Sequence, residues 1–158
     1  MAHRPGRAVL TPALLALALL AQPEARISPA RAELLAHELA RVELRHHLPP
    51  LLLAAVVLAE SGGRSLVLPS RGGCDVGPAQ VHVDGCAPAR VAALLPPGRS
   101  LEAGALVLDR SRRLCAQRPR WRPCRVSRYS LYNAGSSGWW PRVAAIWYRL
   151  RAWRPPEV

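Results

Sequence analysis

The sequence predicts a mainly α-helical domain, and three observations carry that expectation. Residues 51–59 are apolar without interruption, between Pro49-Pro50 on one side and Gly62-Gly63 on the other, which fits a central helix buried on all sides. Between residues 27 and 48, Leu34, Leu35, Leu39, Val42 and Leu48 recur at intervals that place them on one helical stripe. No stretch shows the sustained apolar–polar alternation of a half-buried strand. With 158 residues, 50% of them hydrophobic, the chain can bury a core as one domain, which excludes a disordered polypeptide.

The elements follow in order. Arg4 and Arg7 precede an apolar stretch, 8–21, with Gln22 and Glu24 after it. This reads as a signal peptide over residues 1–25, cleaved after either Ala21 or Ala25, with residues 26–158 as the mature domain. The stretch is short for a bilayer span, and an uncleaved anchor is the alternative, the one case in which membrane attachment is expected. The expected location is periplasmic or extracellular. Ser28 can cap the helix over 27–47 and Pro29 suits its first turn. Glu33, Glu38, Arg41, Glu43 and Arg45 are assigned to its solvated face, and the adjacent His46 and His47 point apart, as surface residues. Pro49 and Pro50 end this helix and open the central one, which Gly62 and Gly63 stop.

Residues 65–75 read as a loop with a short extended piece at 66–68, and 81–83 as either a strand end or a helix start. A short helix over 88–95 closes at Pro96-Pro97-Gly98. Ser100 is placed as the cap of a helix running from 101 to about 114. Residues 115–124 form a basic, Pro-interrupted surface loop, 126–132 resume helical character, 133–138 turn, and 141–153 make a final amphipathic helix.

The formal net charge is +12, and all 22 basic residues are Arg. Absence of Phe together with abundant Ala, Leu, Pro and Gly points to a GC-rich coding bias, so the charge is discounted as evidence for nucleic acid, although a basic surface favours polyanionic surroundings. Cys74, Cys86, Cys115 and Cys124 form no C-x-x-C pair and have no His at zinc-finger spacing, so no metal is expected. Four Cys in an exported chain point to disulfides. Pairing Cys74 with Cys86 and Cys115 with Cys124 is the most economical of the three connectivities, each loop contributing about 2–3 kcal/mol on the chain-entropy account.

Glu60 ends the apolar run. Burial and the negative C-terminal end of a helix both disfavour its charged form and raise its proton affinity, as general-acid cleavage of a glycosidic bond requires. The alternative is the first polar residue after a core helix, facing water. Asp75 and Asp84, near glycine-rich turns, are the candidates for a second carboxylate. All eight aromatics lie beyond residue 120; most are assigned to the core, with two or three facing a ligand.

Leu48-Pro49-Pro50-Leu51-Leu52-Leu53-Ala54-Ala55 leading to Glu60-Ser61-Gly62 resembles the first motif of the soluble lytic transglycosylases. Gly77-Pro78-Ala79-Gln80-Val81 resembles their second motif, Leu101-Glu102-Ala103-Gly104 more loosely their third, and Leu131-Tyr132-Asn133-Ala134-Gly135 their Ala-Tyr-Asn-Ala-Gly motif. The resemblance covers about residues 45–150 and implies a lysozyme-like, goose-type, mainly α fold that cleaves the peptidoglycan glycan strand as a monomer, without metal or cofactor. It implies Glu60 as acid and then base, Ser61 as its orienter or a substrate contact, Gln80 as cleft lining, and Tyr132 and Asn133 beside the sugar. The resemblance further implies that the muramic acid 6-hydroxyl supplies the nucleophile, so that no second protein carboxylate would be needed. Pro78-Ala79 replaces the family's usual bulky pair, and Gly63-Arg64-Ser65 its usual aromatic and Asn-Pro. The competing expectations are a goose-type lysozyme that hydrolyses the same bond, an inactive glycan-binding module, and a basic nucleic-acid-binding protein, against which export argues.

Overall fold

A computed structural model describes residues 10–133 and 138–155. Its described residues form helices α1 (Pro12–Leu20), α2 (Pro29–Arg45), α3 (Leu52–Ser61), α4 (Pro88–Leu94), α5 (Pro97–Gln117), α6 (Arg122–Val126) and α7 (Trp139–Ala152). Between α3 and α4 lie strands β1 (Val67–Ser70), β2 (Gly73–Val76) and β3 (Val81–Asp84), and a 3-10 turn spans Ser130–Asn133. The protein is mainly α-helical with one small sheet.

Helix α3 is the hub. Leu52 through Leu58 are each at most 2% exposed, and α2, α5 and α7 all pack against the helix. Each fully buried Leu or Val here contributes about 1.5–3 kcal/mol. Gly62, at φ 63°, stops the helix in the left-handed conformation. At the other end Leu51 is itself left-handed, at φ 68°, and offers no side-chain cap. The cap comes from α2: Glu43 Oε2 accepts from Leu51 N at 2.8 Å, and Oε1 accepts from Leu53 N at 2.8 Å and from Ala54 N at 3.4 Å. A carboxylate thus closes three of the amide groups that a helix start leaves unpaired, at the positive end of its dipole. This corrects the assignment of Glu43 to the solvated face. It follows Leu39 by four residues, so it lies on the apolar stripe and is buried at 8% exposure.

Ser28 caps α2, its Oγ accepting from Arg31 N at 3.3 Å. The stretch 8–21, expected as a leader, contributes α1, which packs on α2 with Leu15, Ala16, Ala18 and Leu19 buried. An apolar h-region and an apolar core helix share this composition. Beyond α1, Gln22 and Glu24 accept hydrogen bonds from the Arg149 guanidinium on α7, and Arg26 N donates to Gly62 O at 2.9 Å.

The sheet is where the sequence-based expectation departs most. Residues 67–70, 73–76 and 81–84 form an antiparallel meander in the order β1-β2-β3, with Val67 opposite Val76 and Val76 opposite Val81. Four-residue strands are too short to display alternation, and β1 carries a proline that its edge position tolerates. Helix α5 begins at Pro97, so Ser100 lies inside it and serves another purpose described below. One disulfide is present, Cys115–Cys124, with Cα atoms 5.2 Å apart. Cys74 and Cys86 are free thiols in this structure, packed together where the sheet meets α4.

Burial pushes the Glu43 carboxyl up to about 7, against the three amide bonds that favour its anion. Its folded pKa lies above its unfolded one. Its contribution to stability is therefore fully present below about pH 4.5 and is lost as the pH rises through 7. Denaturant titrations should show wild-type stability falling between pH 5 and 7 and Glu43→Gln flattening that slope. Glu43→Ala, which leaves the Leu51 and Leu53 amides unpaired, should cost about 1–3 kcal/mol.

Candidate active site

Glu60 sits in the last turn of α3, half-buried. Trp139, at the start of α7 and 1% exposed, donates its Nε1 hydrogen to Glu60 Oε1. Tyr132 stacks on Trp139, with ring centroids 5.2 Å apart and planes within 6° of parallel. Burial raises the Glu60 pKa. The Trp139 hydrogen bond and the Arg142 charge oppose the rise, and the Asp75 charge adds to it. Burial is the largest influence, so the carboxyl holds its proton more tightly than a surface glutamate. Tyr132 is held in its neutral form, its pKa raised by burial and by the charges of Glu60 and Asp75.

The residues of four separate sequence motifs meet around the loop that joins β2 to β3. Ser61, buried at 3% exposure, donates its hydroxyl to Pro78 O at 2.8 Å, with Val57 O at 3.2 Å, and accepts from Gly63 N at 3.1 Å. Tyr132 donates its hydroxyl to Ala79 O at 2.5 Å. Ser100 Oγ accepts from Ala79 N at 3.2 Å and lies 3.3 Å from Val76 O. The loop backbone is thereby tied to α3, to α5 and to the 3-10 turn.

Two glycines make that approach possible. Gly77 is at φ 78°, and a Cβ there would lie 2.4 Å from Ser100 Oγ. A Cβ on Gly104 of α5 would lie 2.8 Å from Ala79 Cβ and 3.1 Å from the Tyr132 hydroxyl. The small Ala79 side chain fits directly over Gly104.

Of the residues singled out from the sequence, Glu60, Ser61 and Tyr132 come together, Glu60 and Tyr132 through Trp139. Gln80 lies in the same loop, half-buried at φ 49°, but its amide donates to Gly77 O at 2.8 Å and Leu66 O at 3.3 Å, so it holds the turn in this structure. Asn133 is exposed, and Ala134 and Gly135 lie outside the described residues. Asp75 on β2 is within electrostatic reach of Glu60 and accepts from Ser70 Oγ at 3.1 Å, with His82 Nδ1 at 2.9 Å. Asp84 is exposed, its side chain 89% accessible, with Oδ1 3.3 Å from His82 Nε2.

Two partners escaped the sequence reading. Trp139 carries no mark that separates it from Trp140, since only the packing of α7 decides which indole meets Glu60. Glu43 carried a usable mark in its spacing from Leu39. Two concavities elsewhere on the surface, one between α2 and the start of α5 and one beneath the disulfide loop, contain none of these residues. Among the described residues no group of three or more His, Cys, Asp or Glu could hold a metal ion.

Gly104→Ala should force Ala79 and Tyr132 apart and destabilise the protein by about 1–3 kcal/mol, measured by chemical denaturation. Ala at the exposed neighbouring position Leu106 should change stability by less than about 1 kcal/mol. In comparisons with known proteins, no family model, no curated protein and no solved structure matches this chain.

Proposed function

We propose that the protein is an exported lytic transglycosylase with a lysozyme-like fold, cleaving the β-1,4 bond between N-acetylmuramic acid and N-acetylglucosamine in peptidoglycan. One observation carries the reading: a desolvated carboxyl at the end of a fully buried helix, held by the indole of Trp139 and flanked by Tyr132. A carboxylic acid that keeps its proton towards neutral pH can protonate a glycosidic oxygen as the bond to the anomeric carbon breaks. The resulting carboxylate then takes the proton of the muramic acid 6-hydroxyl, whose oxygen closes on the same anomeric carbon to give the 1,6-anhydro product. Glu60 ends the cycle protonated, as it began. The nucleophile is intramolecular to the sugar, so its attack has a high effective concentration. Ser61 fixes the end of α3 through Pro78 O, which positions Glu60 rather than touching the glycan.

A second reading is favoured by Asp75. It places a second carboxylate within the electrostatic field of Glu60, and a base there could activate a water for hydrolysis, as in a goose-type lysozyme. Products decide between the two: anhydro-muropeptides from purified sacculi support transglycosylation, and reducing-end products support hydrolysis.

Glu60→Gln should lower the rate on sacculi by about 10²-fold or more; an unchanged effect would make the protein a glycan-binding module. Activity that needs the protonated acid should fall as the pH rises through the raised pKa of Glu60. Because the Asp75 charge raises that pKa and the Trp139 hydrogen bond lowers it, Asp75→Asn should move the fall to lower pH and Trp139→Phe to higher pH, read from pH–rate profiles.

A further inference from the structure

The segment from residue 110 to 128 holds eight arginines in 19 residues and no Asp or Glu, against 22 in 158 for the whole chain. That is about three times the chain average, so a uniform coding bias does not account for it. Asp109, just before the segment, pairs with Arg112 and Arg113 at 2.6 and 2.7 Å. Arg118, Arg120, Arg122 and Arg125 are exposed, and none of them pairs with a carboxylate among the described residues.

The same surface carries apolar side chains that the core does not use. Trp121, between Arg120 and Arg122, is 45% exposed, and Val126 on α6 is 59% exposed. Residues 116–122 are exposed without a break, and the Cys115–Cys124 disulfide closes them into a loop. Arg125 Nε donates to Arg120 O at 3.1 Å, tying α6 to the loop. Beneath it a basin of about 460 Å³ is lined by Arg112, Arg113, Arg128, Pro119 and the disulfide.

We propose that this disulfide-closed loop, with α6, is a docking surface for an anionic phospholipid bilayer. Guanidinium groups bind phosphate bidentately, and arginine stems lie along an apolar boundary while their heads stay in the polar layer. An indole beside them takes the headgroup level, where its apolar face and N–H are both satisfied. The exposed Val126 favours a bilayer over a nucleic acid, because it gains from an apolar boundary and nothing from a phosphate backbone. Trp121 is also the one exposed aromatic in the segment, too few to stack successive bases. The covalent closure presents these groups with little ordering cost. The inference concerns this surface alone and does not depend on the reading of Glu60.

The test is co-sedimentation of the full chain with phosphatidylcholine vesicles with and without phosphatidylglycerol. Binding to the anionic vesicles, weakened by salt, is expected, with little binding to the neutral ones. Arg120→Gln/Trp121→Gln/Arg122→Gln should weaken it by about tenfold or more, since each arginine near an anionic surface contributes roughly fivefold. Arg71→Gln/Arg90→Gln removes the same charge at exposed sites elsewhere and should weaken it less than about threefold. In the wild type, bilayer-embedded quenchers should reduce tryptophan fluorescence, and Trp121→Gln should lose that component, a readout that does not require the triple variant. Equal loss in both charge variants, equal binding to neutral vesicles, no quenching of Trp121, or tighter binding to an oligonucleotide than to the anionic vesicles would each overturn the proposal.

Discussion

The grip of the Glu43 carboxylate on the first amides of α3 is the interaction from which the rest of the arrangement follows. Helix α3 has no polar face and no side-chain cap at its start, so its own side chains do not fix where it begins. Glu43, one turn beyond Leu39 on α2, anchors it through Leu51, Leu53 and Ala54. Once its start is fixed and its sides are packed by α2, α5 and α7, the position of its last turn is set, and Glu60 is carried there. The two carboxylates experience opposite ends of one dipole. At the amino end the field favours the anion, and at the carboxyl end it disfavours it, while burial raises both pKa values.

The far end of α3 is held by a different device. The loop between β2 and β3 offers Pro78 O to Ser61, Ala79 O to Tyr132 and Ala79 N to Ser100. Each of these buried backbone groups would be costly unpaired, so the loop, α3, α5 and the 3-10 turn hold one another in place. Tyr132 is pinned at its hydroxyl and stacked on Trp139, and Trp139 reaches Glu60. These contacts tie Glu60 to several elements at once, which suits the general-acid role proposed for it.

Much of this was legible in the sequence because its marks are local. An unbroken apolar run between Pro-Pro and Gly-Gly defines α3, Ser28-Pro29 defines the start of α2, and the Cys115 and Cys124 spacing anticipates the bonded pair. The sheet was not legible, because three four-residue strands carry no period, and what joins them is register between distant residues. Ser100 read as a helix cap from its neighbours, yet tertiary contact gave its hydroxyl to Ala79 and Val76. Glu43 shows the same limit from the other side, since charge suggested solvent where spacing pointed to the core. The partner of Glu60 lies 79 residues away on α7, and only the three-dimensional packing selects Trp139 over its neighbour.

The proposed chemistry depends on one quantity, the proton affinity of Glu60, and carbon-13 titration of the labelled glutamate carboxyls measures it directly, with Glu60→Gln identifying the resonance. The expected midpoint for Glu60 lies above the value of about 4.3 for an ordinary glutamate. A midpoint at or below that value would mean that Trp139 and Arg142 outweigh burial, and Glu60 would then be an anion with no proton to give to a glycosidic oxygen.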